Sequence, residues 1–387
     1  MKAIPLVFLF LCLIYSCANG QNVIVGAERT DEYFPLIKNQ RIAVLSNHTG
    51  MVGEEHLVDL LHRSGMNVVA IMSPEHGFRG NADAGEQVGN SVDPQTGIPI
   101  RSLYDGKTKK PGKETMESFD WLIFDIQDVG TRFYTYYITM ARLMDACAEY
   151  GKKMLILDRP NPNGHYVDGP ILDMKHKSGV GWLPIPVVHG MTLGELALMI
   201  NGEHWLTEER NCQLTVVPCE NYTHQTLYQL PIPPSPNLPN MKSVYLYPST
   251  CYFEGTPVSL GRGTTLPFQI YGHPDIKNAT FSFTPESIPG AKNPPLLNQK
   301  CYGVDLSRIP DKDIYSKGID LSYVIDAYNH LNIGNAFFTS FFEKLIGVDY
   351  VRKMIMEGKN SDEIKAMWQD DVATFKTQRK PYLLYRE

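Results

Sequence analysis

Four short apolar runs recur along the first half of the chain, at residues 42–45, 68–72, 121–125 and 154–157, each with a helical pattern or a turn-rich stretch before the next. Runs of this length with no polar alternation fit strands buried on both faces, and strands alternating with helices predict a parallel sheet with helices on either side. The expected fold class is therefore α/β, a Rossmann-like doubly wound, mostly parallel sheet. Further strands are expected at 185–188, 214–217 and 301–306. After about residue 274 the texture turns proline-rich and polar, then helical, which predicts a smaller α+β domain with two or three helices between Asp320 and Thr377. The expected division is a signal at 1–20, a Rossmann-like domain over 21–275 and an auxiliary domain over 276–387 that forms the other wall of a cleft.

Such sheets bind ligands outside the carboxyl ends of their strands. The polar residues of this chain gather at those ends. The run 68–72 leads into Ser73-Pro74-Glu75-His76-Gly77-Phe78-Arg79-Gly80, a carboxylate, an imidazole and a guanidinium between a proline and glycines, with Phe78 suited to a pocket wall. Asn47, Asp125, Asp128, Asp158 and Asn161 sit at or just beyond other strand ends, and His189 follows the run 185–188. Asp128 and Asp158 suit helix capping as well as ligand contact. A histidine such as His189 is as often a hydrogen-bonded structural group as a catalyst. Thr192 and Glu195 form a capping box for a helix over 193–201. Residues 81–113 carry several glycines and prolines and read as a lid. No Gly-x-Gly-x-x-Gly, Walker loop or Gly-x-Ser-x-Gly elbow is present, which removes the commonest uses of the architecture.

Composition narrows the function further. With 36 Lys and Arg against 42 Asp and Glu the net charge is -6, so there is no cationic footprint for nucleic acid. Residues 3–15 are apolar and uncharged but too short for a comfortable membrane span, and read as a secretory signal. Ala18-Asn19-Gly20 favours cleavage before Gln21; the competing exit is a lipobox-like end at Cys17, for which Tyr15 is an awkward residue. The protein is thus expected to be exported, to the periplasm or as a lipid-anchored envelope protein, with no transmembrane span. Cys147, Cys212, Cys219, Cys251 and Cys301 are an odd, scattered set without a CxxC pair, expected as buried free thiols, with Cys212 and Cys219 the one pair that could bridge.

The segments Ser-Pro-Glu-His-Gly-Phe-Arg-Gly (73 to 80), Phe-Asp-Ile-Gln-Asp-Val-Gly-Thr-Arg-Phe-Tyr-Thr-Tyr (124 to 136), Asp-Arg-Pro-Asn-Pro (158 to 162), His-Gly-Met-Thr (189 to 192), Pro-Ser-Pro-Asn (234 to 237), Glu-Gly-Thr (254 to 256) and Gly-Arg-Gly-Thr-Thr (261 to 265) together resemble the exo-β-N-acetylmuramidase family. The likeness runs from Asn39 to the terminal Pro-Tyr-Leu-Leu-Tyr. Thr256-Pro257 departs from it, since the family more often has Asn after the threonine. The resemblance implies a glycoside hydrolase that releases terminal N-acetylmuramic acid from the non-reducing end of peptidoglycan fragments, with Glu75 as the leading catalytic carboxyl. Glycans carrying N-acetylmuramic acid are then the expected partners, and no metal or other cofactor is required.

The residue chemistry agrees with that activity. Glycosidic hydrolysis pairs a proton donor with a group that supplies or activates the nucleophile. Glu75, between Pro74 and Phe78, suits the donor, and Asp125, Asp128, Glu254, His189 or Tyr134 remain open as its partner. The lactyl carboxylate calls for a guanidinium, from Arg79, Arg132 or Arg262, the last between glycines that allow close approach to a ligand. Asn161 and Asn237 suit the acetamide, and His76, Asp158, Ser235 and Thr264 complete the expected binding set. Two rivals stand beside this reading: a metal-dependent hydrolase using Glu75, His76, Asp125 and Asp128 as ligands, and a periplasmic sugar-binding protein without turnover.

Overall fold

The structure, a computed structural model, describes residues 22–74, 78, 90–103 and 110–387. Glu75, His76 and Arg79 lie outside the described residues, as do the signal segment and residues 81–89 and 104–109 of the expected lid.

In chain order the elements of the first part are α1 (Thr30–Ile37), β1 (Ile42–Ser46), a small hairpin of β2 (Met51–Val52) and β3 (Glu55–His56), α2 (Leu57–Arg63), β4 (Val68–Ser73), β5 (Ser91–Val92), β6 (Pro99–Ser102), α3 (Lys113–Glu117), β7 (Trp121–Asp125), α4 (Tyr136–Glu149), β8 (Lys153–Leu157), α5 (Leu193–Gly202) and β9 (Gln213–Val217). The large sheet runs β5-β6-β4-β1-β7-β8-β9, parallel throughout except for β5 at its edge. Both halves wind outward from the β1–β7 pair, so the doubly wound expectation holds and the switch point, where crevices open, lies between those two strands.

The apolar runs are strands because both of their faces are buried. Ala43 and Leu45, Leu122 and Phe124, Met154 and Ile156 point into one hydrophobic cluster, where α4 and α5 cover the sheet. Their neighbours Ile42 and Val44, Trp121 and Ile123, Leu155 and Leu157 point into a second, where Tyr33 and Ile37 of α1 and Leu57, Val58 and Leu61 of α2 lie. This two-residue alternation between faces is the pleat itself. The Thr192/Glu195 capping box forms as expected.

The structure departs from three sequence expectations. Residues 185–188 do not form a strand: Pro186 has no N–H to give a ladder, and the Ile185 and Val187 carbonyls are taken by the Arg132 side chain and backbone N–H. His189 therefore follows a loop. Within the expected lid, residues 90–103 supply β5 and β6, because Ile98 and Ile100 are buried against the sheet and Ile100 pairs with Ile71. Phe78 is buried in the second cluster, edge-on to His56 with ring centres 4.9 Å apart, and so packs the core instead of walling a pocket.

The second part comprises α6 (Met241–Thr250), an antiparallel three-stranded sheet of β10 (Ile270–His273), β11 (Phe281–Phe283) and β12 (Cys301–Asp305) in the order β10-β12-β11, and the helices α7 (Asp311–Tyr315), α8 (Ser322–Leu331), α9 (Ser340–Ile346), α10 (Tyr350–Met356), α11 (Ser361–Ala366) and α12 (Gln369–Arg379). The two or three helices expected between Asp320 and Thr377 are five, broken by left-handed residues at Asn332 and Gly347 and by Gly358. The small sheet straddles residue 275, where a domain boundary was expected. Residues of both parts share the larger hydrophobic cluster, from Leu45 to Phe375. All five described cysteines are buried and free, so no Cys212–Cys219 bridge forms.

Candidate active site

At the switch point the chain leaving β1 is knotted to that leaving β7. Asn47 Oδ1 accepts from the Thr49 N–H and hydroxyl, and Thr49 Oγ1 in turn accepts the Gln127 N–H at 3.0 Å. The Asn47 amide then donates to the Tyr136 hydroxyl at 3.0 Å, fixing the start of α4 above the sheet. His48 lies 2.9 Å from the Pro233 carbonyl, which draws the loop through residues 231–239 over the same edge.

A cavity of about 290 Å³ opens between this edge and the second part of the chain. Its walls include Tyr134, Tyr136, Ser235, Asn237, Tyr247, Glu254 and Arg262. The tyrosines brace one another edge to face, Tyr134 with Tyr136 at 5.0 Å and with Tyr247 at 6.0 Å. The Tyr134 hydroxyl donates to the Pro234 carbonyl at 2.8 Å, and its burial, with Tyr136 and Asp128 adding to it, raises its pKa far above the ordinary phenol value. It stays protonated at neutral pH and is a poor nucleophile. Glu254 Oε1 accepts from Arg262 Nε at 3.2 Å and Nη2 at 2.6 Å, while no described residue donates to Oε2. Arg262 lies over the Phe268 ring, 5.0 Å from its centre, which orients the fork.

Of the expected site residues, Tyr134, Ser235, Asn237, Glu254 and Arg262 thus meet around one cavity. Ser235 Oγ accepts the Asn237 N–H, and Asn237 donates its amide to the Gly290 carbonyl at 2.9 Å. Most of the other described ones are buried on partners within the fold. Arg132 is fully buried and its guanidinium donates to the carbonyls of Pro170, Ile185, Leu345 and Ile346, so it ties the two parts together and is not open to a ligand. Asp125, also fully buried, is held by Arg159 Nε at 2.6 Å and Nη2 at 3.0 Å.

Asp158 accepts from Thr192 Oγ1, Gly194 N and Tyr385 Oη, and burial lifts its pKa to about 6. Asn161 donates to the Met191 carbonyl and accepts from Asn163 N. It lies so close over Gly130 (φ +76°) that any side chain there would collide with it. Thr264 closes a turn onto the Gly261 carbonyl. His189 accepts the Met191 N–H, and burial with the nearby Arg379 and His224 charges pushes its pKa down to about 3, leaving it neutral.

Asp128 is intermediate. One oxygen accepts Gly130 N at 2.7 Å, the other is buried with no hydrogen-bond partner among the described residues, and burial raises the pKa to about 7. It does not line the cavity. The glycines flanking Arg262 serve the fold and not a ligand: Gly261 and Gly263 take φ of +86° and +79° and pack against Ile270 and Pro294. Among the described residues no three His, Cys, Asp or Glu side chains converge as a metal set.

Sequence reasoning left out Tyr136 and Tyr247 from the site. Tyr136 closes the Phe-Tyr-Thr-Tyr segment and could have been read from it; Tyr247 lies within α6, where nothing local marks it. The role of the C-terminus was also hidden. Backbone N–H groups of Leu384 and Tyr385 donate to Glu195 Oε1, which also meets His224 Nε2 at 3.0 Å, so the last residues return to the edge of the large sheet.

The N-terminal and C-terminal models of the exo-beta-N-acetylmuramidase NamZ family match residues 42–242 and 245–385, meeting ahead of the boundary expected at 275. A peptidoglycan beta-N-acetylmuramidase NamZ of Bacillus subtilis is 39% identical over 374 residues, covering 92% of this chain and 89% of its own. Two crystal structures of DUF1343 family proteins from Bacteroides fragilis share the fold. One has a TM-score of 0.90 at 67% identity over 95% of this chain and 99% of its own; the other has 0.80 at 29% over 94% and 99%.

Proposed function

The chain belongs to the exo-β-N-acetylmuramidase NamZ family, and from that premise we propose that this glycoside hydrolase releases N-acetylmuramic acid from the non-reducing end of peptidoglycan fragments. The observation that carries the reading is the cavity at the switch point, whose Tyr134, Tyr136, Ser235, Asn237, Glu254 and Arg262 all come from the segments that resemble the family. β4 lies beside β1 with Met72 opposite Leu45, and both strands run on towards this edge, to Asn47 in one and to Pro74, the residue before Glu75 in sequence, in the other.

In the proposed reaction Glu75 protonates the glycosidic oxygen as the bond breaks, and Glu254, oriented by Arg262, supplies or activates the nucleophile at the anomeric carbon. The tyrosines give the sugar an apolar wall, and Ser235 and Asn237 offer polar partners. Of the three arginines considered for the lactyl carboxylate, Arg132 is spent on carbonyls and Arg262 on Glu254, so Arg79 is the remaining candidate. Residues 1–20 act as an export signal, which brings the enzyme to glycan fragments outside the cytoplasm, free or anchored through Cys17.

Incubation with a chromogenic β-N-acetylmuramide beside its β-N-acetylglucosaminide counterpart tests the substrate class, with a strong preference for the muramide expected. Equal rates would refute recognition of the lactyl group. Mass spectrometry of a digested peptide-free glycan tests exo action: single N-acetylmuramic acid units should appear first, and early internal fragments would point to an open, endo-acting groove.

A further inference from the structure

The described walls of the cavity of about 290 Å³ carry three charged side chains, Glu254, Arg262 and Arg142. Glu254 and Arg262 neutralise one another in their ion pair, so the described wall keeps one net positive charge, that of Arg142. Arg142 is not one of the three arginines that the sequence offered for a carboxylate. It lies on α4 together with Tyr136 and Thr139, which line the same cavity, and the spacing of three brings all three to one side of the helix. Asp145, the acid one turn further along α4, is already held by Lys110 and by the Thr207 N–H and hydroxyl.

The guanidinium is braced where it stands. Its carbon lies 4.7 Å from the centre of the Trp182 ring, and Trp182 is tied to α4 because its backbone N–H donates to the Tyr137 hydroxyl at 2.9 Å. A guanidinium stacked on an aromatic ring spends its π face on the stack, while its five N–H donors lie in its own plane and point away from the ring. Backbone bonds between Ser178 and Gly181 close the turn that brings Gly179 and Val180 to the cavity wall. Lys177, at the base of that turn, also lies over the Trp182 ring, 4.0 Å from its centre, and adds positive potential on this side.

We propose that Arg142 reads the lactyl carboxylate of a terminal N-acetylmuramic acid and so sets the preference for that sugar over N-acetylglucosamine. This rests on the hydrolase reading above. The two sugars differ by the lactyl ether alone, and its carboxylate is the one charge between them. A planar fork of donors matches a carboxylate two bonds at a time, and a wall with one net positive charge matches an anion with one negative charge. An uncharged sugar in the same place leaves the fork without its anion, which is how a site of this kind rejects the analogue that lacks the group.

The test uses an aryl β-N-acetylmuramide and its lactyl amide, which keeps the shape and removes the charge. Wild-type kcat/KM should favour the acid, and in Arg142→Met the acid-to-amide ratio should fall about ten- to a hundredfold, the effect of losing hydrogen bonds to a charged group. The ratio is insensitive to the folded fraction, because one folded population hydrolyses both substrates. A ratio in Arg142→Met within about twofold of wild type overturns the proposal, and a fall in Arg79→Met instead assigns the carboxylate to the 73–80 segment. A wild type that hydrolyses acid and amide equally well also overturns it, with the hydrolase reading intact. If the wild type hydrolyses neither, the hydrolase reading fails and the role of Arg142 with it.

Discussion

Asp125→Asn separates a structural carboxylate from a catalytic one. Asp125 is fully buried, and both of its oxygens are held by Arg159, which is 8% exposed and also donates to the Met51 carbonyl. The substitution keeps the shape and removes the charge, leaving a buried guanidinium opposite an amide that can accept one of its hydrogen bonds but presents N–H groups to the other. Breaking a buried pair on one side costs about 3–5 kcal/mol. At roughly 2 °C per kcal/mol for a chain of this size, the melting temperature should fall by about 6–10 °C. Calorimetry measures that loss, and turnover of an aryl β-N-acetylmuramide well below the transition should stay within about tenfold of wild type. A double variant, Asp125→Leu with Arg159→Met, should recover part of the stability, because it leaves no uncompensated charge. An Asp125→Asn protein that melts like wild type yet loses turnover a thousandfold would refute the argument and return Asp125 to the reacting groups.

Glu75→Gln should keep the wild-type melting temperature and lose most turnover; a rate within tenfold of wild type, a barrier change of only ~1.4 kcal/mol, would remove Glu75 from the mechanism. Tyr385→Phe deletes a hydroxyl that donates to Asp158 at 2.6 Å and accepts the Cys219 N–H at 2.8 Å; we expect a loss of about 1.5–3 kcal/mol in denaturant unfolding and faster proteolysis of the C-terminus, and an unchanged midpoint would contradict the anchoring role. Burial holds the Asp128 carboxyl at about 7 in the fold against 3.8 ordinarily. The folded state then binds the extra proton between these values, so this group makes stability fall by ~4 kcal/mol as pH rises from about 4 to 7, with no further change above. Asp128→Asn should flatten that part of the profile, and an unaltered slope would show that Asp128 titrates normally.

The doubly wound sheet was legible because its cause is local: an apolar run with no polar alternation can be satisfied only by burial on both faces, and 42–45, 68–72, 121–125 and 154–157 each have that character. The Thr192/Glu195 box was legible for the same reason, since both partners lie within one turn. The cavity motifs could be recognised as a set, but not which side chains would turn towards a ligand. Asp125, Asp158, Asn161 and His189 stand near strand ends or loops as expected, yet each meets a partner distant in sequence: Arg159 for Asp125, Tyr385 for Asp158, Met191 for Asn161, Arg379 for His189. Nor could residues 185–188 be denied a strand from their own composition, because the groups that take their carbonyls belong to Arg132, Asp168 and Leu172, all distant in sequence. By itself the sequence determined the central parallel strands and the stock of chemical groups at their ends. Which of those groups face the cavity was decided only by tertiary packing, because a buried charge or donor must find its partner wherever the fold supplies one.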